Sequence, residues 1–255
     1  MLRVRGSCQL RPSPNQVTVE FNRVSETGNA NELRSIQLVR KVPAATRLRL
    51  RSWRYRYAKR AIDFAAATLL LTVFSIPGAA IAAVIVLTSG GPVFYREHRI
   101  GRYGKMFRIW KYRSMYVDAA RRAHIADGQS GDKILEWRMR KNGRDPRVTR
   151  VGRFLRKWSL DEMPQLINVL HGEMSLIGPR PIVESEAEFY GDLFAHYLAV
   201  TPGLSGLWQV SGRSDVGYRQ RAELDASYVN SWSIRSDFGI LLRTLPAVLS
   251  RTGAH

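Results

Sequence analysis

Acidic residues are scarce in this chain: 21 Asp+Glu stand against 40 Lys+Arg over 255 residues, a net charge of +19. Cysteine occurs once, which excludes a disulfide framework and any multi-cysteine zinc or iron–sulfur centre and says little about compartment. The histidines (His98, His124, His171, His196, His255) show no metal-ligand spacing, so no zinc site is expected. Gly101 and Gly104 fall short of Gly-x-Gly-x-x-Gly, which removes the dinucleotide fingerprint. Ser205 lacks the glycine that a nucleophile elbow needs at 207, where Leu207 stands. No apolar core follows the early arginines, so no secretory signal peptide is read there. The absence with most content is charge itself: Phe64 to Pro92 contains no ionisable residue.

What is present surrounds that gap. The length suits one compact domain with extras or two small ones, and 45% hydrophobic residues exclude a wholly disordered chain. Residues 1–60 carry 14 Lys+Arg and 3 acids (net +11), and residues 91–160 carry 19 and 6 (net +13). Residues 161–255 carry 7 and 11 (net −4). Such charge demands an anionic partner. Its placement on both sides of an uncharged stretch points to a membrane surface rather than to a nucleic-acid domain.

Residues 1–46 mix Asn, Ser, Thr, Arg and Pro without sustained periodicity and are read as a flexible leader. From Arg47, basic residues interleave with Leu, Trp and Tyr, a composition suited to an anionic headgroup layer. Residues 64–92 are long enough to span a bilayer. Against spanning stand Ser75-Ile76-Pro77-Gly78 in the middle and basic flanks on both sides, which share a preference for the cytoplasmic face. A helix broken at Ser75–Pro77 that enters and leaves by one leaflet satisfies both features, and the residues favour it over the spanning alternative.

Beyond residue 92 the pattern predicts a strand, a glycine turn and a second strand ending near Arg113. Helices follow at Ala119–Ala126 and Ile134–Arg140, with a loop at Gly128 and Gly131 between them. Val151, Phe154, Leu155 and Trp158 stripe one face of a helix whose other face shows Arg150, Arg153, Arg156 and Lys157. A short helix at Gln165–Leu170 ends at His171-Gly172. Met174–Ile177 is strand-like, and an acidic helix is expected around Glu184–Tyr197. The segment from Leu204 to Gly212 reads as strand, and helices near Tyr218–Ser231 and Phe238–Leu249 close the chain. Trp208, Tyr228 and Trp232 read as core residues rather than base-stacking platforms.

Asp161-Glu162 is the pair with chemical promise, and it carries two readings. Ser159 and Glu162 match a capping box at a helix start, where acids suit the helix dipole. The functional reading rests on neighbours: Arg144, Arg147, Arg150, Arg153, Arg156 and Lys157 precede the pair, and Arg180 follows between prolines. Hard oxygens can hold Mg²⁺, arginines can hold phosphate, and an ionised aspartate can attack phosphorus.

With those residues in view, the chain resembles the monotopic phosphoglycosyl transferases, the bacterial sugar transferase family. The matching text is KRAID at 59–63, the Ser-x-Pro at 75–77, residues 91–115, DPRVTRVGRFLRKWSLDEMPQLINVLHGEMSLIGPRP at 145–181, and TPGLSGLWQVSGRS at 201–214. The tail is similar to that of exopolysaccharide-initiating, ExoY-like members, although Asn230-Ser231-Trp232 stands where relatives often have Arg-Asn-Trp. The resemblance covers residues 58–255. It implies an α+β, mostly helical fold: a re-entrant membrane helix within residues 47–92, and a small cytosolic catalytic domain at 93–255 with amphipathic interfacial helices and short strands. It implies the short form of the family, without a multi-pass N-terminal domain, on the cytoplasmic face of the bacterial inner membrane.

The implied activity is transfer of a hexose 1-phosphate, galactose or glucose, from a UDP-sugar to undecaprenyl phosphate with release of UMP. By analogy Asp161 is the nucleophile, and Glu162 with Asp161 holds Mg²⁺. Arg156 and Arg180, then Arg99, Arg113 and Arg153, bind phosphate. Lys59, Arg60, Asp63, Ser75 and Pro77 anchor the membrane helix. Membrane lipids and downstream glycosyltransferases are the implied partners, with no nucleic acid. The rival reading is a membrane-tethered, basic scaffold or nucleic-acid-binding protein, marked by salt-dependent binding and indifference to Asp161.

Overall fold

The computed structural model describes residues 28–119, 121, 145–212 and 217–249. The helices expected within 119–140, their intervening loop and Arg144 fall almost wholly outside the described residues.

The chain opens with α1 (Gly28–Val39) and α2 (Ala44–Arg51). The expectation of a flexible leader through residue 46 is corrected here for residues 28–46. Leu38 and Val39 pack on the core, Val42 is 1% exposed inside it, and the Thr46 hydroxyl donates to Asn230 Oδ1 at 2.9 Å. Few apolar residues serve this segment, too few to show as a period, yet they fall where two short helices turn back onto the body.

After a turn at Arg54–Ala58 comes α3, Lys59–Ser89, which with that turn is long and apolar enough to cross a bilayer. Its hydroxyls are satisfied locally: Thr68, Thr72, Thr88 and Ser89 donate to carbonyls four residues back and Ser75 to Thr72. That removes the cost of carrying them into an apolar medium. The break expected at Ser75–Pro77 is not an interruption. Helix continues through Pro77, which can forgo an amide donor without ending a helix this long. Large apolar side chains along α3 face outward, with Ile76 82% and Leu87 84% exposed.

Both ends of α3 rest on the same folded body. At its start, Lys59 Nζ donates to Ile177 O (3.0 Å) and pairs with Asp237 (2.6 Å), while Asp63 Oδ1 accepts from the Leu176 amide (3.1 Å). Farther on, Gly78 O accepts from the Tyr112 hydroxyl (3.2 Å), and Ile85 packs with Tyr112 and Leu155.

The hairpin expected from the glycine turn is β1 (Phe94–Ile100) paired antiparallel with β2 (Met106–Tyr112). Arg96 faces Trp110 across it, guanidinium 3.4 Å from the ring centroid. The striped basic helix is α4 (Arg150–Lys157), followed by α5 (Gln165–His171), which ends on Gly172 at φ 81°. Strand β3 (Ser175–Ile177) pairs in parallel with β4 (Gly203–Ser205). A Cβ at Gly203 would lie 2.1 Å from the Gly178 nitrogen, so only glycine permits this approach.

Between those strands lie a 3₁₀ segment at Glu184–Leu193 and α6 (Phe194–Ala199), where one acidic helix was expected. Gly191, at φ 48°, kinks the 3₁₀ segment two residues before its end. The strand expected over 204–212 is also corrected: it stops at Ser205, and Leu207–Val210 forms α7. Trp208 is buried there with Arg221 stacked 4.6 Å from its ring centroid, a tertiary contact that the local pattern does not encode. Helices α8 (Tyr218–Ser231) and α9 (Ile234–Leu249) complete the body. Tyr228, Val229 and Trp232 join Phe107, Ile109, Leu166, Val169 and Ile177 in the main core.

Candidate active site

Three local devices bring the acid pair into place. Thr149 caps α4 by accepting from the Gly152 amide at 2.7 Å. Gly152 lets that helix lie on Ser114, since a Cβ there would sit 1.9 Å from the Ser114 carbonyl oxygen. One turn on, Arg156 Nε donates to Ser114 Oγ at 2.8 Å. The chain then reverses at Ser159, a non-glycine residue at φ 55°, a conformation uncommon for a residue with a side chain. Asp161 and Glu162 follow in a single 3₁₀ turn, Leu160–Glu162.

The capping-box reading is thereby corrected. The Ser159 side chain caps nothing, and α5 begins only after Pro164, which supplies no amide to be capped. The far end of α5 is held from the membrane helix, where Arg60 donates to the carbonyls of Val169 and Leu170 and complements the helix dipole. Asn168, fully buried, fixes α5 sideways to β2: it accepts from the Trp110 amide (3.0 Å) and donates to Arg108 O (2.9 Å).

The two carboxylates occupy opposed environments. Glu162 Oε1 lies 2.9 Å from Lys111 Nζ and 3.7 Å from an Arg180 nitrogen. Burial pushes its carboxyl up, but Lys111 and Arg180, with Arg99 behind, pull it down to about 2. Asp161, 9% exposed, is raised by burial and by Glu162 beside it, and Lys111 and Arg156 offset only part of that. Two adjacent acids driven apart in this way can take different roles. The Arg180 guanidinium is held up chiefly by Glu162. Burial lowers that of Arg99, and the nearby Arg180 adds to the effect.

Of the phosphate-binding candidates, the fold gathers Arg156, Arg180 and Arg99 around the pair. Arg113 and Arg153 are not brought there. Arg113 follows Tyr112 onto the membrane helix and donates to Ser89 Oγ (3.0 Å) and Gly90 O, satisfying that helix's open carbonyl end. Arg153 lies on the outer side of α4, exposed, with its guanidinium on Val148 O at 3.3 Å. Of the five anchoring candidates, Lys59, Arg60 and Asp63 bind the body behind the site, while Ser75 and Pro77 lie on the exposed middle stretch of α3.

Sequence reasoning missed Lys111, Gln165, Ser114 and Asn168. For Lys111 a signal existed: strand alternation places it on the face of Phe107 and Ile109, both buried, so a cation there faces inward. Lys111, Glu162, Gln165, Arg99 and Arg180, with Gly203 behind, line one tight polar cavity. Behind the acid pair lies an apolar groove of about 220 Å³ formed by Leu71, Phe74, Ser75, Gly78, Ala79 and Ala82 of α3, Phe94 and Tyr112 of the hairpin, and Met163, Pro164 and Ile167. Among the described residues no cluster of three His, Cys, Asp or Glu forms a metal cage. The donor set suits a hard cation that keeps waters and substrate oxygens, such as Mg²⁺, better than one needing an all-protein shell.

Comparison with known proteins identifies the family. The family model described as bacterial sugar transferase matches residues 54–251. The chain is 45% identical over 199 residues to the exopolysaccharide production protein ExoY of Rhizobium meliloti, covering 78% of this chain and 88% of that one. It is 44% identical over 203 residues to the undecaprenyl-phosphate galactose phosphotransferase of Salmonella typhimurium, covering 78% of this chain and 42% of the relative. It is 39% identical over 198 residues to the UDP-glucose:undecaprenyl-phosphate glucose-1-phosphate transferase of Escherichia coli, covering 74% and 40%. The chain thus spans less than half the length of these two relatives. With its membrane-length helix, its α+β body and a match over more than three quarters of its residues, the chain belongs to the bacterial sugar transferase family.

Proposed function

We propose that this protein transfers a hexose 1-phosphate, galactose or glucose, from a UDP-sugar to undecaprenyl phosphate and so initiates assembly of an exopolysaccharide. The observation that carries the reading is the junction at residues 161–164. Glu162 lines a cation-rich polar cavity, Met163 and Pro164 line an apolar groove along the membrane helix, and Asp161, in the opposed environment, stands immediately before them in the chain. The relatives named for galactose and glucose phosphotransfer to an undecaprenyl carrier support the same substrates.

In this reading Asp161 Oδ attacks the sugar-bearing phosphorus of the UDP-sugar. A phosphorus–oxygen bond forms to the carboxylate, the bond to UMP breaks, and UMP leaves. An oxygen of undecaprenyl phosphate then attacks the same phosphorus, regenerating the carboxylate and yielding undecaprenyl diphosphosugar. The covalent stage lets a soluble donor and a lipid acceptor use one site in turn. Lys111, Arg99, Arg156 and Arg180 offset the charge that otherwise keeps one anion from attacking another. Glu162, ionised throughout, with Asp161 would hold Mg²⁺, which when bound neutralises phosphate charge. The apolar groove, opening beside Ser75 and Gly78, suits the first isoprene units of the acceptor.

The helix contacts support a re-entrant, monotopic placement at the cytoplasmic face. A straight helix of α3's length measures ~46 Å, and a spanning one would carry its far end across the hydrocarbon. Here the body that binds Lys59 and Asp63 also binds Gly78, Ile85 and Ser89. Reporters fused before Ala58 and after Val93 should both be cytoplasmic, and opposite locations overturn the topology. For the reaction, purified enzyme with undecaprenyl phosphate and a panel of UDP-sugars should release UMP, and quenched enzyme should carry the phosphosugar on Asp161. Lipid-linked product without that adduct overturns the covalent route.

A further inference from the structure

The polar cavity contains one side chain that the reading above leaves without a task. Gln165, the first residue of α5, is 2% exposed, and its Nε2 is buried with no acceptor from the protein. It shares the cavity with Glu162, Lys111, Arg99 and Arg180. A buried amide donor without an acceptor is costly, and such a donor facing a cavity takes its partner from water or from a ligand that enters it. The neighbouring donors are committed: Lys111 is bonded to Glu162, Arg99 to Glu97, and Arg180 lies close to Glu162. An anionic oxygen entering this cavity therefore meets two kinds of group, cations already shared with carboxylates and one free neutral donor.

We propose that Gln165 is a direct substrate contact, its Nε2–H donating to a phosphoryl oxygen of the donor's diphosphate. This deepens the phosphoglycosyl reading and rests on it. A neutral donor suits the position because it binds an oxygen without competing with Lys111 for Glu162. A lysine or arginine there would add a third cation, after Lys111 and Arg180, against the same carboxylate.

The test uses the full chain in detergent or nanodiscs, with UDP as the binding probe measured by calorimetry. Gln165→Met keeps the length and removes the donor; Gln165→Glu keeps the shape and replaces the amide by an acceptor. UDP affinity and kcat/KM for the UDP-sugar should fall about tenfold in Gln165→Met and further in Gln165→Glu, with KM for undecaprenyl phosphate unchanged. If Gln165→Met fails to fold, Gln165→Glu reads the same difference. Wild-type UDP affinity and donor KM in the folded variants overturn the proposal, as does an equal rise in both substrates' KM, which marks a structural role. The two readings fail separately. Turnover retained in Asp161→Asn sinks the covalent mechanism, whereas unaltered UDP binding in the Gln165 variants sinks only this contact.

Discussion

The two spaces flanking the start of α5 differ in almost every physical respect. On one side Arg99, Lys111, Glu162, Gln165 and Arg180 enclose a small, charged cavity; on the other, Leu71, Phe74, Gly78, Met163 and Pro164 border an apolar groove more than 200 Å³ in volume. Residues 162 and 165 serve the first and residues 163, 164 and 167 the second, so one turn of chain separates a charged environment from an apolar one. The contrast teaches how a body anchored at a bilayer can present one reacting atom to substrates of opposite solubility. Glu162 belongs to the first space and Met163 to the second, with Asp161 next before them in the chain.

The strongest way to break that comparison is to remove the proposed nucleophile beside both spaces. Asp161→Asn should abolish transfer, a loss of at least ~10³-fold in turnover, measured as UMP release. Chelation by EDTA should abolish it as well, with recovery on adding Mg²⁺.

Next in size, Lys111→Met strikes the polar side alone. Turnover should fall about 10²-fold if Lys111 supports the developing charge as an electrostatic donor does. The pH profile sharpens this. Against the upward push of burial, Lys111 and Arg180 hold the Glu162 carboxyl down to about 2, from an ordinary 4.5. Its ion pairing therefore stabilises the fold above about pH 4.5, and that contribution is lost as pH falls toward 2. Without Lys111 the carboxyl rises, and the acid limb of the rate profile should move to higher pH. An unmoved limb overturns the assignment of Lys111 as counter-charge to the acid pair, since Lys111 lowers both carboxyls.

A third prediction addresses the groove. Ala82→Phe fills it without touching the polar cavity. KM for undecaprenyl phosphate should rise about tenfold, as expected when a well-fitting apolar site loses one to two kcal/mol of contact, while the burst of UMP from UDP-sugar alone is kept. Loss of the burst would place the groove on the donor side. The smallest effect is expected of Arg153→Ala, whose side chain is exposed outside both spaces: activity near wild type and stability within about 0.5 kcal/mol, read by thermal melting. Arg113→Met should instead lower melting by loosening the end of α3, with the donor KM unchanged.

How far these spaces were legible beforehand depended on the kind of signal. The acid pair, Arg156 and Arg180 stand close together in sequence, and short-range spacing was enough to group them. Arg113 and Arg153 were named with them through the family resemblance, and the fold does not bring them to the pair. Helical phase turned Arg153 outward, and contact with Gly90 drew Arg113 to the membrane helix. Lys111 and Gln165 went unnoticed because what matters about each is its burial beside another segment. The helices of residues 28–46 escaped because only a few apolar side chains hold them down.

The amino-acid order by itself determined the membrane segment, the hairpin, the positions of α4, α5, α8 and α9, and the chemical character of the Asp161-Glu162 block. These depend on local periodicity, turn chemistry and the gap in charge, all of which act within about a dozen residues. The tertiary structure alone decided that one carboxylate is held ionised and the other pushed toward protonation. It alone decided that Lys111 rather than Arg113 completes the site, and that both ends of the apolar helix meet a single body. Burial and Coulomb coupling depend on what lies a few ångströms away in space, and for Glu162 that is Lys111, 51 residues distant along the chain.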